Sequence, residues 1–457
     1  MLSLAVFLPI AAGLIMLAVP PKSRRARELA VEGVTIATSL IVLYCLCFLR
    51  ETPQTLVHLT MNLPITFKID GVGSVFTAIV AFLWPLAVLY GFEYMEHEGG
   101  ENHFFAVYTM TYGVTLGISM AANAITLYTF YEFLTLCTLP LVVHGSRQEA
   151  RSAGRKYVMY SFFGAALAFV GVMIAVYFGG NQPFVMGGVL GEAFKTEHPI
   201  LLEIGYLCMF LGFGVKAGVF GVIRMTYFVV GAQLLRGTTA QAIVVILAAV
   251  TIVYGSASAV REHHFKRRLA YSTISNLSYI LLAAAMMSGA GLVAGLSHML
   301  FHALIKITLF FCAGAVLVRT HRTQVESLRG MGRVMPFTCA VYTLGALALM
   351  GTPLLPGFIS KWMIGSALIE SGTVIGMIGV VAVLISAVLT AIYLMSVTFA
   401  MYFRPFEPDA HTLEGAKADP TWRMKLPFAV LCAAIVLCGL CSNRIITVLE
   451  MLSAGVM

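Results

Sequence analysis

GLVAGLSHMLFHALIKITLFFCAGAVL, residues Gly291–Leu317, is long enough to cross a bilayer, yet it carries His298, His302 and Lys306. Positions four apart stack on one face of an α-helix, so the three side chains line up over two turns. Lys306 falls close to the middle of the apolar run, where a charge costs about 2.5–3.5 kcal/mol even on the lenient insertion scale. A chain keeps such a residue inside a membrane helix mainly where it lines a protein-filled or wet path. Three titratable groups in line point to a path that carries protons.

The rest of the chain agrees with a membrane setting. It has 457 residues, 59% of them hydrophobic and 11% charged, with mean hydropathy +0.90. That composition excludes an ordinary soluble core and predicts an all-α polytopic protein. No hydrophilic stretch is long enough for a separate folded domain, so residues 1–457 are read as one transmembrane domain. The first apolar run, Leu2–Val19, lacks a basic leader and a small-residue cleavage site and is expected to be retained. The net charge of +8 falls in short loops, where it orients helices; it is not a nucleic-acid signal.

Nine cysteines are scattered mostly through apolar segments, and Cys438 and Cys441 form the one CxxC. A metal or iron–sulfur site needs about four converging ligands, so these read as small buried hydrophobes. His298 and His302 form HxxxH, but the intervening residues offer no general base and no third ligand is in view; proton relay fits these imidazoles better than zinc. With no glycine-rich nucleotide loop and no haem-attachment motif, no cofactor and no metal are expected. The chain therefore depends on an ion gradient or on a partner for energy.

Helices are expected at Leu2–Val19, Ala30–Phe48, Val72–Tyr90, Phe105–Ala122, Ile125–Val143 and Tyr157–Phe178. After Ile200–Leu235 they continue at Ala242–Ala259, Leu269–Met287, the organising helix, Pro336–Met350, Gly357–Ile369, Val374–Met401 and Leu426–Leu449. Pro353 and Pro356 divide one span into two half-helices, a kind of break that often marks ion sites. The basic loops after the first and fifth helices (Lys22, Arg24, Arg25, Arg27; Arg147, Arg151, Arg155, Lys156) share one side by parity, which makes that side cytoplasmic. Three later basic loops, Arg261–Arg268, Arg319–Arg333 and Arg404–Lys425, agree among themselves. All five are cytoplasmic only if Ile200–Leu235 crosses twice, giving 14 crossings with both termini outside. That stretch has 36 residues, about 54 Å of helix, too short for two crossings and a turn.

Further charges lie inside apolar segments. Glu132 sits within ITLYTFYEFLTLCTLPLVV, where the competing reading is a packing hydrogen bond. Lys216 sits among glycines in CMFLGFGVKAGVFGVI, and Lys361 follows the Pro356 break; for both, the competing reading is a lysine snorkelling to the interface. Asp70, Glu93, Glu203, Arg224 and Glu370 read as interfacial. A row of Glu132, Lys216, His298, His302, Lys306 and Lys361 can pass a proton through alternating neighbours, since a nearby charge alters each group's proton affinity.

Several segments together resemble a known family. They are FKIDGVGSVF, FYEFLTLCTLPLV, RKYVMYSFFGA, VREHHFKRRLAYSTISNLSYILL, LSHMLFHALIKITLFFCAGAV and GTPLLPGFISKW, which cover about Asp70 to Trp362. The chain resembles the antiporter-like membrane subunits of respiratory complex I, shared with membrane-bound hydrogenases and multisubunit cation/proton antiporters. The resemblance implies two inverted five-helix repeats with broken helices in a bundle of about 13–14 helices, here residues 105–235 and 242–401. It makes Glu132 the pairing acid of the first half-channel and Lys306 the central lysine of the second. His302 and His298 become the relay of that lysine, and Lys361 the exit residue. It also implies partner membrane subunits, some redox-active, and a multi-pass location in the inner (plasma) membrane. The departure is at Lys216, which could match either of two family lysines because roughly one helix is missing there. The expected function is thus a proton- or sodium-translocating subunit of a redox-driven complex. A stand-alone secondary antiporter, or a structural subunit with a disabled first half, are the alternatives.

Overall fold

The structure, a computed structural model, describes residues 1–145, 148–215, 218–406 and 418–454. Arg147 and Lys216 lie outside the described residues, as does the middle of the Arg404–Lys425 loop. The protein is an all-α polytopic membrane protein. Eight of its described helices are long and apolar enough to cross a membrane, and four shorter apolar helices accompany them. The chain divides into two compact units, Met1–Gln241 with Leu452–Met457, and Ala242–Met451.

In the first unit, α1 (Leu2–Ala18) and α2 (Arg24–Phe48) are followed by a hairpin of β1 (Gln54–His58) and β2 (Pro64–Phe67). That hairpin lies between the second and third helices expected from the sequence. Then come α3 (Gly71–Tyr94), α4 (Glu101–Ser119), α5 (Ala124–Val142) and α6 (Gln148–Gly179). Short polar side chains fix the starts by accepting from free helix-start amides. Ser23 caps α2, Asp70 caps α3 and Asn123 caps α5, each accepting from the amide three residues on. The Ser23 cap places Arg24 and Arg27 inside α2, six residues before the expected start at Ala30. Arg27 is buried there and ion-paired to Glu101. A cluster of Met16, Val31, Val88, Phe92, Met95, Phe105 and Ala106 seals this end of α1–α4.

After α7 (Glu192–Glu197), the problem stretch resolves into α8 (Pro199–Val215), α9 (Val219–Arg224), a π-helical turn at Met225–Val230 and α10 (Ala232–Leu235). At 1.5 Å per residue α8 is about 26 Å long and residues 219–230 about 18 Å, against a hydrocarbon core of about 30 Å. The stretch therefore holds one near-full helix and one half-length piece. Asp70, Glu93 and Arg224, expected at the interface, are instead buried in protein. Arg224 is fully buried and pairs with both carboxylate oxygens of Asp70, at 2.6 and 2.7 Å.

The second unit takes over within α11 (Thr239–Arg261) and continues with α12 (Phe265–Ala284), α13 (Gly289–Thr320) and α14 (Pro336–Met350). It closes with α15 (Pro356–Glu370), α16 (Val374–Phe403), α17 (Trp422–Leu440) and the short α18 (Ser442–Leu452). α13 is its axis. It packs on α12, α14, α15 and α17, and 78% of its most apolar window is buried, far more than in any other long apolar helix.

Candidate functional site

α13 begins at Ser288, whose side chain accepts from the Gly291 amide, and runs 32 residues. Its length carries His298, His302 and Lys306 into the interior, at 2%, 6% and 5% exposure. Four-residue spacing does what helical geometry requires: the His298 and His302 rings stack 5.9 Å apart with 16° between planes. Tyr279 of α12 stacks on the other side of His298 at 5.4 Å. His298 Nδ1 is 2.9 Å from the Ser360 hydroxyl of α15. The Nε2 atoms of both histidines are buried and have no hydrogen-bond partner among the described residues. Buried polar atoms of this kind are normally satisfied by ordered water.

Lys306 donates to the Ser272 hydroxyl of α12 at 2.7 Å and lies 5.8 Å from the Phe310 ring centroid. The fourth member of the line comes from the helix break. α14 ends at Met350 with Gly351 at φ 101°, a conformation that favours glycine. Pro356 opens α15, and Gly357 lets it approach closely, since a Cβ there would lie 1.9 Å from the Ala348 carbonyl oxygen. The break frees the last carbonyls of α14, and Lys361 Nζ donates to two of them, Leu349 at 2.7 Å and Met350 at 3.2 Å. A cation there also meets the negative end of the α14 dipole. Lys361 sits over the Tyr279 ring at 5.7 Å, so Tyr279 touches both His298 and Lys361.

The structure thus gathers buried His298, His302 and Lys306 and half-buried Lys361 into one line. Among the described residues of this unit no carboxylate is buried, so the line is made of cation-forming groups alone. No three His, Cys, Asp or Glu side chains among the described residues cluster as metal ligands. At the edge of the unit, His263 Nδ1 is 2.6 Å from Glu326 Oε1. That hydrogen bond holds the Glu326 carboxyl below its ordinary range.

In the first unit, Glu132 is half-buried on α5. Beside it Tyr131 donates to the Gly212 and Phe213 carbonyls near the end of α8, at 3.1 and 3.0 Å. The Asp70–Arg224 pair is surrounded by Phe228, Phe220 and Phe184, whose ring centroids lie 4.7, 5.0 and 5.1 Å from the guanidinium carbon. A guanidinium does not release its proton in proteins, so Arg224 anchors and does not relay. The sequence points to no role for Ser272, Ser360 or Tyr279, and to an interfacial place for Arg224. The first three lie inside or beside quoted motifs, and nothing in those motifs distinguished them from packing residues.

The comparisons with known proteins agree with this architecture. The family described as NADH:quinone oxidoreductase/Mrp antiporter, TM, matches residues 121–222 and 206–390. The family described as NADH-Ubiquinone oxidoreductase (complex I), chain 5 N-terminus, matches residues 57–105. The two matches to the first family share residues 206–222, the segment where α8 gives way to the half-length piece. NAD(P)H-quinone oxidoreductase chain 4 2 of Microcystis aeruginosa is 24% identical over 445 residues, covering 88% of this chain and 79% of that protein. NADH-quinone oxidoreductase subunit N of Desulforudis audaxviator is 25% identical over 427 residues, covering 84% and 83%. Among solved structures, a chain of the archaeal membrane-bound sulfane sulfur reductase superimposes with TM-score 0.82 at 21% identity, over 100% of this chain and 97% of that one. A chain of the Mrp complex from a Dietzia species gives 0.82 at 16% identity, again over 100% and 97%. One of Thermus thermophilus respiratory complex I gives 0.79 at 21% identity, over 100% and 99%. With most of its length matched, the chain belongs to the NADH:quinone oxidoreductase/Mrp antiporter membrane family.

Proposed function

We propose that this chain is a proton-translocating subunit of a larger membrane complex, driven by redox chemistry in partner subunits. The observation that carries the reading is the line of four proton-binding side chains, three buried on a single long helix and the fourth half-buried at the helix break facing it. Such groups are costly inside an apolar bundle and persist where an ion path uses them. Lys306 is the central donor. Its proton passes to the open nitrogen of His302, then to the stacked His298, and reaches Lys361 past the Ser360 hydroxyl. Glu132 and Lys216 are the corresponding acid and base of the first half.

The related proteins bear names of quinone oxidoreductase subunits, and the similar structures come from multisubunit membrane complexes, which supports an assembly in place of a lone transporter. The basic loops favour an inner (plasma) membrane location with both termini on the outer side. The test is ion uptake by the intact host complex in proteoliposomes, parent against Lys306→Ala, with redox turnover recorded in parallel. Lost uptake in an assembled, turning-over complex is the expected result; unchanged uptake per electron overturns the reading. Repeating the measurement with sodium replaced by potassium separates proton from sodium coupling.

A further inference from the structure

Lys306 does not stand against the histidines alone. Behind it runs a row of buried hydroxyls at the meeting of α12 and α16: Ser272, Tyr393 and Thr390, at 0%, 1% and 1% exposure. Lys306 Nζ is 2.7 Å from Ser272 Oγ, Ser272 Oγ is 2.7 Å from the Tyr393 hydroxyl, and that hydroxyl is 3.3 Å from Thr390 Oγ1. Thr390 in turn donates to the Ser386 carbonyl at 2.7 Å.

The two ends of the row fix the direction of every bond. At one end Lys306 Nζ donates to Ser272 Oγ, as an ammonium or a neutral amine can. A carbonyl only accepts, so the single proton of Thr390 is committed to Ser386 and its oxygen must accept from Tyr393. With one proton per hydroxyl, Ser272 then donates to Tyr393. All four donors point away from Lys306, and bonds aligned in one sense polarise one another. The row ends on a backbone amide carbonyl, which is too weak a base to take the proton onward.

We infer that Tyr393, acting through Ser272, is a positioning residue that holds Lys306 in its charged form, and that this hydroxyl row is a clamp and not an exit for the proton. The inference rests on the relay proposed above and adds a direction to it: the proton leaves Lys306 on the His302 side. When Lys306 gives its proton to an imidazole nitrogen, its amine gains a lone pair. Ser272 then turns its O–H toward Nζ and Tyr393 turns its own toward Ser272. Each hydroxyl keeps its proton and rotates about its C–O bond, so no proton travels along the row.

The two states respond differently to loss of the Tyr393 hydroxyl. In Tyr393→Phe, a charged Lys306 leaves the Ser272 proton with no acceptor in the row, whereas a neutral Lys306 still accepts it. The change therefore penalises the charged form only. The buried or half-buried titratable groups on the elements packed around Lys306 are His298, His302 and Cys312 of α13, Lys266, Arg268, Tyr271 and Tyr279 of α12, Cys339 and Tyr342 of α14, Lys361 of α15, and Arg423, Cys432 and Cys438 of α17; Tyr393 itself comes from α16. None is a carboxylate that could take over the clamp.

The test measures ion uptake per electron against pH in proteoliposomes of the intact complex, for the parent, Tyr393→Phe, Ser272→Ala, Ser272→Thr and Lys306→Ala. Tyr393→Phe is expected to move the alkaline limb of the profile down by about one pH unit, roughly a tenfold change in proton affinity. Ser272→Ala moves it further, and Ser272→Thr, which keeps the hydroxyl, restores it. A Tyr393→Phe profile that superimposes on the parent, or shifts upward, while Lys306→Ala abolishes uptake, overturns the clamp and leaves the relay standing. Unchanged uptake in Lys306→Ala overturns both. Should Tyr393→Phe fail to assemble, Thr390→Val removes the last hydroxyl at nearly constant shape and must shift the limb the same way by less; no shift there also overturns the clamp.

Discussion

Asp70→Asn is the most direct probe of what holds the first unit together. Asn keeps the shape and the α3 cap, because its side-chain oxygen still accepts from the Gly73 amide as Asp70 does at 2.7 Å. What it removes is the charge facing Arg224, which is fully buried, 154 residues away in sequence, and bonded to both carboxylate oxygens. The aromatic faces of Phe184, Phe220 and Phe228 stay but supply only about 0.5–2 kcal/mol each to a desolvated cation. Taking away one partner of a buried pair costs about 3–5 kcal/mol, a large part of the roughly 5–15 kcal/mol that holds a typical fold. For a unit of this size that corresponds to a fall in Tm of about 10 °C. With the other eight cysteines replaced, labelling of the buried Cys45 by a thiol-reactive dye during a thermal ramp in lipid nanodiscs reads the unfolding of this unit. The double variant Asp70→Asn with Arg224→Met removes the stranded charge and should recover most of the loss. An Asp70→Asn protein melting within about 1 °C of the parent would refute the argument, as would a double variant no more stable than the single one.

Two further predictions concern the second unit. Lys361→Met leaves the Leu349 and Met350 carbonyls at the break without their ammonium donor, so ion uptake should fall while redox turnover continues. Arg at the same position, which keeps the donor but cannot release a proton, should not rescue uptake in the same assay. Glu326 has its carboxyl held below the ordinary range by the His263 hydrogen bond, so its share of loop stability is full above the unfolded carboxyl value of about 4.3 and is lost as pH falls through the lower folded one. Hydrogen exchange of the loop amides at residues 262–264 and 321–328 should therefore speed up as pH drops from about 5 to 3, after correction for intrinsic rates, and Glu326→Gln should remove that pH dependence.

The line of residues proposed as a relay was legible in the sequence because its signal is local. His298, His302 and Lys306 sit four apart in an apolar run, and Lys361 follows two prolines, so helical geometry alone places three of them and the break places the fourth. Arg224 was misread for the opposite reason. It lies at the end of a six-residue helix, where a charge ordinarily reaches water, and only the fold brings Asp70 to it from the other end of the unit. Ser272 and Tyr393 were equally invisible: each is an ordinary buried polar residue on its own helix, 121 positions from the other, and they gain meaning by meeting beside Lys306. The difficulty at Ile200–Leu235 was visible from length alone, and its physical form is the half-length piece after α8.

The absence of a buried carboxylate among the described residues of the second unit constrains how the line can work. Two protonated imidazoles with ring centroids 5.9 Å apart would repel by about 3 kcal/mol at an effective dielectric of 20, a penalty of roughly a hundredfold. His298 and His302 therefore do not hold two protons at once, and a proton arriving on one must leave before the next is admitted. Lys306, clamped in its charged form by Ser272 and Tyr393, adds to the repulsion felt by His302 one turn away. A resting line with charge at Lys306 and empty imidazoles is thus the arrangement the geometry favours. Moving that charge requires a push from outside the line, either a second cation arriving behind Lys306 or a negative charge withdrawn from near it. That need for an outside push is why a chain with such a row of groups makes physical sense as one member of a larger assembly.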